Sequence, residues 1–154
     1  MKKVFIIPKF CLLLIFCLCL NNCKKKNNGI NVTLYNKSLS TIQSYIQGKW
    51  TLQYVKGGIC GTCKPQVKNN PYMLINSNRI IFGNDSAGVI LDTTIYWIKE
   101  KDIFHPSDST FLLTYYYPAG AGPFAIRYIV DGIYSDTLKL IDDASDPIYY
   151  YYTK

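Results

Sequence analysis

Gly48-Lys49-Trp50-Thr51-Leu52-Gln53-Tyr54-Val55 is the stretch on which the fold turns. From Trp50 onward, bulky apolar residues alternate with polar ones, the period-two pattern of a strand with one buried face. Similar runs recur downstream. Pro71–Ile75 and Arg79–Phe82 flank the turn signal Asn76-Ser77-Asn78, and Gly83–Gly88 is a second turn cluster before a long strand over Val89–Lys99. Ile103–Asp108, which holds Pro106, reads as a loop ahead of the strand Thr110–Tyr117. Pro118–Pro123 then breaks the chain, because proline lacks a ladder donor and glycine favours turns. Phe124–Val130, Thr137–Ile141 and Ile148–Tyr152 complete the set. No stretch past Trp50 sustains a helical period. Short strands with regular turns and no helical crossover predict an all-β antiparallel domain, either a sandwich or an up-and-down barrel. About eight strands close a barrel that is filled by side chains or holds one small ligand.

Upstream the pattern changes. Leu39, Ile42 and Ile46 recur at three and four residues, and Ser40 with Gln43 has capping-box spacing. This predicts a short N-terminal helix over Leu39–Gln47 that covers one end of the domain. Lys24–Asn36 is rich in Lys, Asn and Gly and reads as a solvated linker.

Before the linker, Lys2 and Lys3 precede the apolar run Phe10–Leu20, eleven residues long. A spanning helix needs about 20 apolar residues. The run therefore reads as a secretion signal, with an uncleaved anchor helix as the competing reading. Leu20-Asn21-Asn22-Cys23 resembles the lipobox of bacterial lipoproteins, with Asn22 where that motif usually holds a small residue. The resemblance implies that residues 1–22 are a signal peptide and that Cys23 carries a lipid (palmitate) as the mature N-terminus. Residues 23–38 would then tether a domain of residues 39–154. The 132 residues after the signal suffice for one domain with a proper core. Their net charge is +4, three units of which are the cluster Lys24–Lys26. Anionic headgroups favour such a cluster by about 1 kcal/mol per residue. The nearly neutral remainder argues against a nucleic-acid partner.

Gly48-Lys49-Trp50, after a short helix and opening the first strand, resembles the Gly-x-Trp signature of lipocalins. The layout from residue 45 to residue 154 resembles the lipocalin-like domains of small Bacteroidetes lipoproteins. That resemblance selects the up-and-down barrel, with Trp50 closing one end and the loop after the first strand at an open mouth. It also implies an arginine packed on the Trp, for which Arg127 is the candidate by order, while the Thr-Asp-Tyr motif of lipocalins is absent. The implied address is the outer membrane, anchored by the N-terminal lipid. Lys24–Lys26 stands where surface-exported lipoproteins of this type often carry acids, which favours the periplasmic face. The implied partner is a small apolar or amphipathic ligand, or an envelope protein.

Cys60-Gly61-Thr62-Cys63 holds the only thiols outside the signal and the lipid site. In an oxidising envelope the two are expected to form a structural disulfide. A catalytic dithiol needs a helix N-terminus, which Lys64-Pro65 opposes. A zinc site needs four ligands, and His105 is the single histidine. His105, Ser107 and Asp108 lie together in sequence, but a triad is a matter of geometry, and a turn is the simpler reading. No catalytic constellation, cofactor or metal is expected. The fourteen tyrosines, notably Tyr115–Tyr117 and Tyr149–Tyr152, point to both faces of their strands. They suit a half-buried wall, a polar-tinged cavity or a contact surface. Asp85-Ser86-Ala87, Asp92-Thr93-Thr94, Asp108-Ser109-Thr110 and Asp136-Thr137-Leu138 resemble the O-glycosylation tripeptide of Bacteroidetes-type envelopes. Two functions are thus expected to compete: a lipid-anchored binding barrel, or an accessory subunit of an envelope complex with a filled barrel.

Overall fold

The computed structural model describes residues 29–58, 69–120 and 122–154. Strand β1 is Val32–Thr33, and helix α1 is Leu39–Ile46. Nine strands follow: β2 Gly48–Gly57, β3 Tyr72–Asn76, β4 Arg79–Asn84, β5 Gly88–Thr94, β6 Tyr96–Lys101, β7 Ser109–Tyr117, β8 Phe124–Tyr134, β9 Thr137–Asp142 and β10 Ile148–Thr153. The ladder runs β5-β4-β3-β2-β10-β9-β8-β7-β6, and every pairing is antiparallel. The domain is therefore all-β, one strongly curled sheet in the form of a half-barrel, with one short helix.

The two ends of this ladder are consecutive in the chain. Only Ile95 separates β5 from β6. Eight antiparallel steps lie between them around the sheet, so they point the same way and form one kinked strand from Gly88 to Lys101. Its first half bonds to β4 and its second half to β7. Counted so, the meander has eight strands, as the sequence predicts. The long strand read over Val89–Lys99 is this one.

One end of the barrel is closed by α1. Ser38 caps the helix by accepting from the Thr41 backbone N–H at 3.3 Å. The cap thus lies two residues before the Ser40 box that spacing pointed to, because Ser38 alone has the extended backbone a cap requires. Ile42 and Ile46 turn inward onto Trp50, Met73, Ile75 and Ile80. Gln43 reaches Asn78 on the β3–β4 turn at 3.3 Å. Above this floor the inward residues of the wall form one continuous core: Leu113, Val130, Ile133, Leu138, Leu140 and Tyr152, with Tyr115 and Tyr128 nearer the other end. That end, the mouth, is where Gly57 pairs with Ile148 and where the β7–β8 and β9–β10 connections lie. Gly57 is required there. Its φ is +97°, and a Cβ would lie 2.2 Å from the Pro147 carbonyl oxygen.

The segment Gly29–Lys37 departs from expectation. The sequence reads it as solvated tether, but it belongs to the wall. β1 pairs with the end of β8, Val32 opposite Ile133 and Thr33 opposite Gly132. Leu34 is fully buried in the core. A bulge at Asp131 drops that residue from the β8–β9 ladder, and its carbonyl accepts from Leu34 at 2.8 Å instead. Ile30 donates to Asp136 Oδ1 at 2.8 Å, which holds the strap against the β8–β9 turn. Among the described residues, the packed domain thus includes Gly29–Lys37, ahead of Leu39.

Candidate functional site

The Gly-x-Trp residues sit at the closed end. Gly48 has φ +110° and pairs with Ile75, so the chain turns sharply out of α1 into β2. Trp50 is buried and donates from Nε1 to the Ile46 carbonyl at 2.7 Å, satisfying one of the orphan acceptors at the helix end. The cation over its ring is Lys154, with Nζ 4.7 Å from the centroid. Arg127, the arginine expected there by order, is elsewhere. It lies on the outer wall near the mouth, paired with Glu100 and, at 3.0 Å, with Asp143. The alternation of β8 explains the difference: Tyr128 and Val130 face the core, which turns Arg127 outward.

At the mouth, the β8–β9 ladder ends at Tyr128 opposite Asp142, and after one further bond, from Asp143 N–H to the Arg127 carbonyl at 3.1 Å, the two chains part. The cleft between them has a volume of about 370 Å³. Phe124, Ile126, Arg127, Tyr128, Asp142, Asp143 and Tyr150 line it. Asp142 faces inward because Leu138 and Leu140, four and two residues earlier, are core residues. Tyr150 stands edge-on to Tyr128 with ring centres 5.2 Å apart, and Tyr115 lies 6.1 Å from Tyr128 on the other side. Burial pushes the Tyr115 hydroxyl up to about 12, an effect partly offset by the Tyr128 hydroxyl beside it. Burial raises Tyr128, Tyr150 and Tyr152 as well, so all four are neutral hydroxyls at physiological pH. Burial also holds the Asp142 carboxyl above its ordinary range, and the neighbouring charge of Asp143 adds to the rise. The cleft offers aromatic faces, neutral hydroxyls, the Asp142 carboxyl and the Arg127–Asp143 ion pair.

Sequence reasoning marks tyrosine-rich strands but passes over Asp142. The signal was available in Leu138-Lys139-Leu140-Ile141-Asp142, where the carboxylate continues the inward register of the two leucines.

The remaining sequence candidates scatter. Cys23, Cys60 and Cys63 lie outside the described residues. The loop that holds Cys60 and Cys63 leaves and rejoins the sheet at the mouth, since Gly57 pairs with Ile148 and Asn69 accepts from Asp85 N at 2.8 Å. His105 contacts neither Ser107 nor Asp108 through its ring; Nδ1 lies 3.0 Å from Asp102 Oδ2. Asp102 is buried and also accepts from the backbone of Phe104 and His105, at 2.7 and 2.8 Å. The His105 ring stacks on Tyr35, centroids 3.9 Å apart. This is a turn that clamps the strap to the outer wall. Of the four Asp-Ser/Thr tripeptides, Asp92 is held by Arg79 and Asp136 by Ile30 N, while Ser86 and Ser109 are exposed. Among the described residues, no three His, Cys, Asp or Glu converge as a metal site would require. No helix among them is long and apolar enough to cross a membrane.

Fold and site together define a small up-and-down β-barrel-type domain with a helix-plugged floor and an aromatic, carboxylate-bearing mouth. No family model, curated protein or solved structure matches the chain.

Proposed function

We propose that this chain is a lipid-anchored envelope lipoprotein that binds a small amphipathic ligand at the barrel mouth and carries out no catalysis. The observation that carries the ligand reading is the split between the two ends. The floor is packed to zero exposure by Ile42, Ile46, Met73 and Ile80, whereas the mouth opens into a cleft of about 370 Å³. A ligand there meets aromatic walls with polar tips, a composition suited to small-molecule pockets. The anchor reading rests on Lys2-Lys3, the short apolar run and Cys23. It places the domain on the outer membrane, at the periplasmic face.

The test has two arms. Intact mass of the native protein should show a diacyl or triacyl adduct that Cys23→Ser abolishes; an unmodified Cys23 would end the anchor reading. Native mass spectrometry after gentle extraction should show a co-purifying small molecule, lost when Tyr150 is replaced by a bulkier Trp that fills the cleft. The accessory-subunit reading has its own support in an exposed strip of Ile90, Tyr96, Ile98 and Tyr116 on the outer wall. A protein that carries no small molecule and co-purifies in stoichiometric ratio with one envelope protein through that strip would favour it.

A further inference from the structure

We propose that the mouth cleft is a site for an organic ammonium ion, with Asp142 as its counter-ion and the rings of Tyr128 and Tyr150 as its walls. The proposal rests on the mouth-ligand reading and names the chemistry of that ligand.

The fold leaves one carboxylate of the cleft without a partner. Asp142 lies among Tyr115, Tyr128 and Tyr150 and faces the cleft. Among the described residues no Lys, Arg or His forms an ion pair with it, and no donor bonds its side chain. Arg127, on the adjacent strand, also lines the cleft, but its guanidinium is taken by Glu100 and Asp143. A half-buried carboxylate against apolar walls normally carries a partner, because desolvation without one is costly. Its chain neighbour Asp143 adds negative charge at the same rim.

The rings point to the same class of ligand. An aromatic face carries partial negative charge and attracts a cation within about 6 Å. Tyr128 and Tyr150, edge to face at 5.2 Å, and Tyr115 beyond them surround the approach to Asp142. A metal ion would be poorly served, since a single carboxylate with neutral phenols gives too few oxygen donors. An anionic ligand would meet the unpaired Asp142, and the one cation of the lining, Arg127, is already held by Glu100 and Asp143. An ammonium head on an apolar body fits both the charge and the walls, with Ile126 and Phe124 against its carbons.

The experiment uses the full chain in phosphatidylglycerol nanodiscs, which bring no ammonium headgroup of their own. Tyrosines are replaced by fluorotyrosine, and the Tyr128 and Tyr150 signals are followed by fluorine NMR. Three six-carbon probes are compared: hexyltrimethylammonium, hexanol and hexanoate. The expected result is that the ammonium shifts both signals at least about tenfold more tightly than hexanol, a gap of about 1.4 kcal/mol, and that hexanoate shifts neither. Asp142→Asn, nearly the same shape, should erase that preference, and Tyr150→Leu should weaken the ammonium by about 3- to 30-fold. Binding of hexanol or hexanoate as tight as the ammonium, or a preference that survives Asp142→Asn, overturns the proposal and leaves the mouth-ligand reading standing. If no probe moves either signal, the mouth-ligand reading falls and takes the proposal with it. The three-probe comparison on the unmutated chain decides the matter even if a variant does not fold.

Discussion

At the residue scale, the two tryptophans make opposite use of one N–H group. Trp50 Nε1 donates to the Ile46 carbonyl at 2.7 Å, whereas Trp97 Nε1 is buried with no partner. Removing a donor strands its acceptor, at a cost of about 1–3 kcal/mol, while removing an unpaired donor lifts a desolvation penalty. Trp50→Phe should therefore destabilise the domain clearly, and Trp97→Phe should cost much less or stabilise it. Chemical denaturation of the two variants compares them directly; equal losses would contradict the assignment. Asp142 yields a prediction of opposite character. Its folded carboxyl is raised, so the folded state holds a proton that the unfolded chain has already released. Stability tied to this group is complete below the ordinary carboxylate range and falls as pH rises through its folded value. Asp143 just past the end of β9 and the neutral Tyr115, Tyr128 and Tyr150 are the groups nearest it, while the one cation of the cleft, Arg127, is paired with Glu100 and Asp143. Asp142→Asn should raise the midpoint of thermal unfolding at neutral pH, by an amount that shrinks on acidification. A variant less stable than the parent at neutral pH would show that the carboxylate has a partner.

Elements divide into those that pattern alone reveals and those that need the fold. The strands from β2 to β10 were legible because alternation and turn residues act locally, and the helix because Leu39, Ile42 and Ile46 share a face. The kink at Ile95 was not legible. It depends on the β4–β5 ladder running out at Arg79, where β4 starts, and on β7 taking over at Thr114, which are distant events in the chain. β1 was hidden for a similar reason: two β-branched residues in a Lys- and Asn-rich stretch carry no period, and their partners are Ile133 and Gly132, where β8 runs past the end of its pairing with β7. The mouth followed the same rule. Its tyrosines stood out by number, but the meeting of Tyr128 with Asp142 is a register fact of β8 and β9. The strap is open to test at this scale. Leu34 is fully buried between β1 and the core, so Leu34→Ala should cost about 2–5 kcal/mol, the range for a core leucine. Lys37→Ala, three residues on and exposed, should cost almost nothing. If both changes were neutral in thermal unfolding, the strap would be tether after all.

At the scale of the whole molecule, the anchor reading and the placement of Gly29 together set which end of the barrel meets the bilayer. Gly29 and Ile30 lie against Asp136 on the β8–β9 turn, at the same end as Trp50, Lys154 and α1. Six peptide steps separate Cys23 from Gly29, and even a fully extended chain covers no more than about 20 Å in that number. A lipid on Cys23 would therefore hold the floor near the headgroups. The floor also exposes Lys37, Lys49 and Lys154, which anionic headgroups attract. β2 alone rises by about 30 Å over its ten residues, less the tilt of the strand, so the mouth would stand away from the surface and open to the aqueous space. Single fluorophores at Ser44 on α1 and at Ser145 on the β9–β10 turn, both exposed, report this geometry. In vesicles with quencher-bearing headgroups, the label at Ser44 should be strongly quenched and the label at Ser145 only weakly. Cys23→Ser should leave both bright. Equal quenching of the two, or stronger quenching at Ser145, would mean that the mouth faces the membrane and draws its ligand from the bilayer rather than from solution.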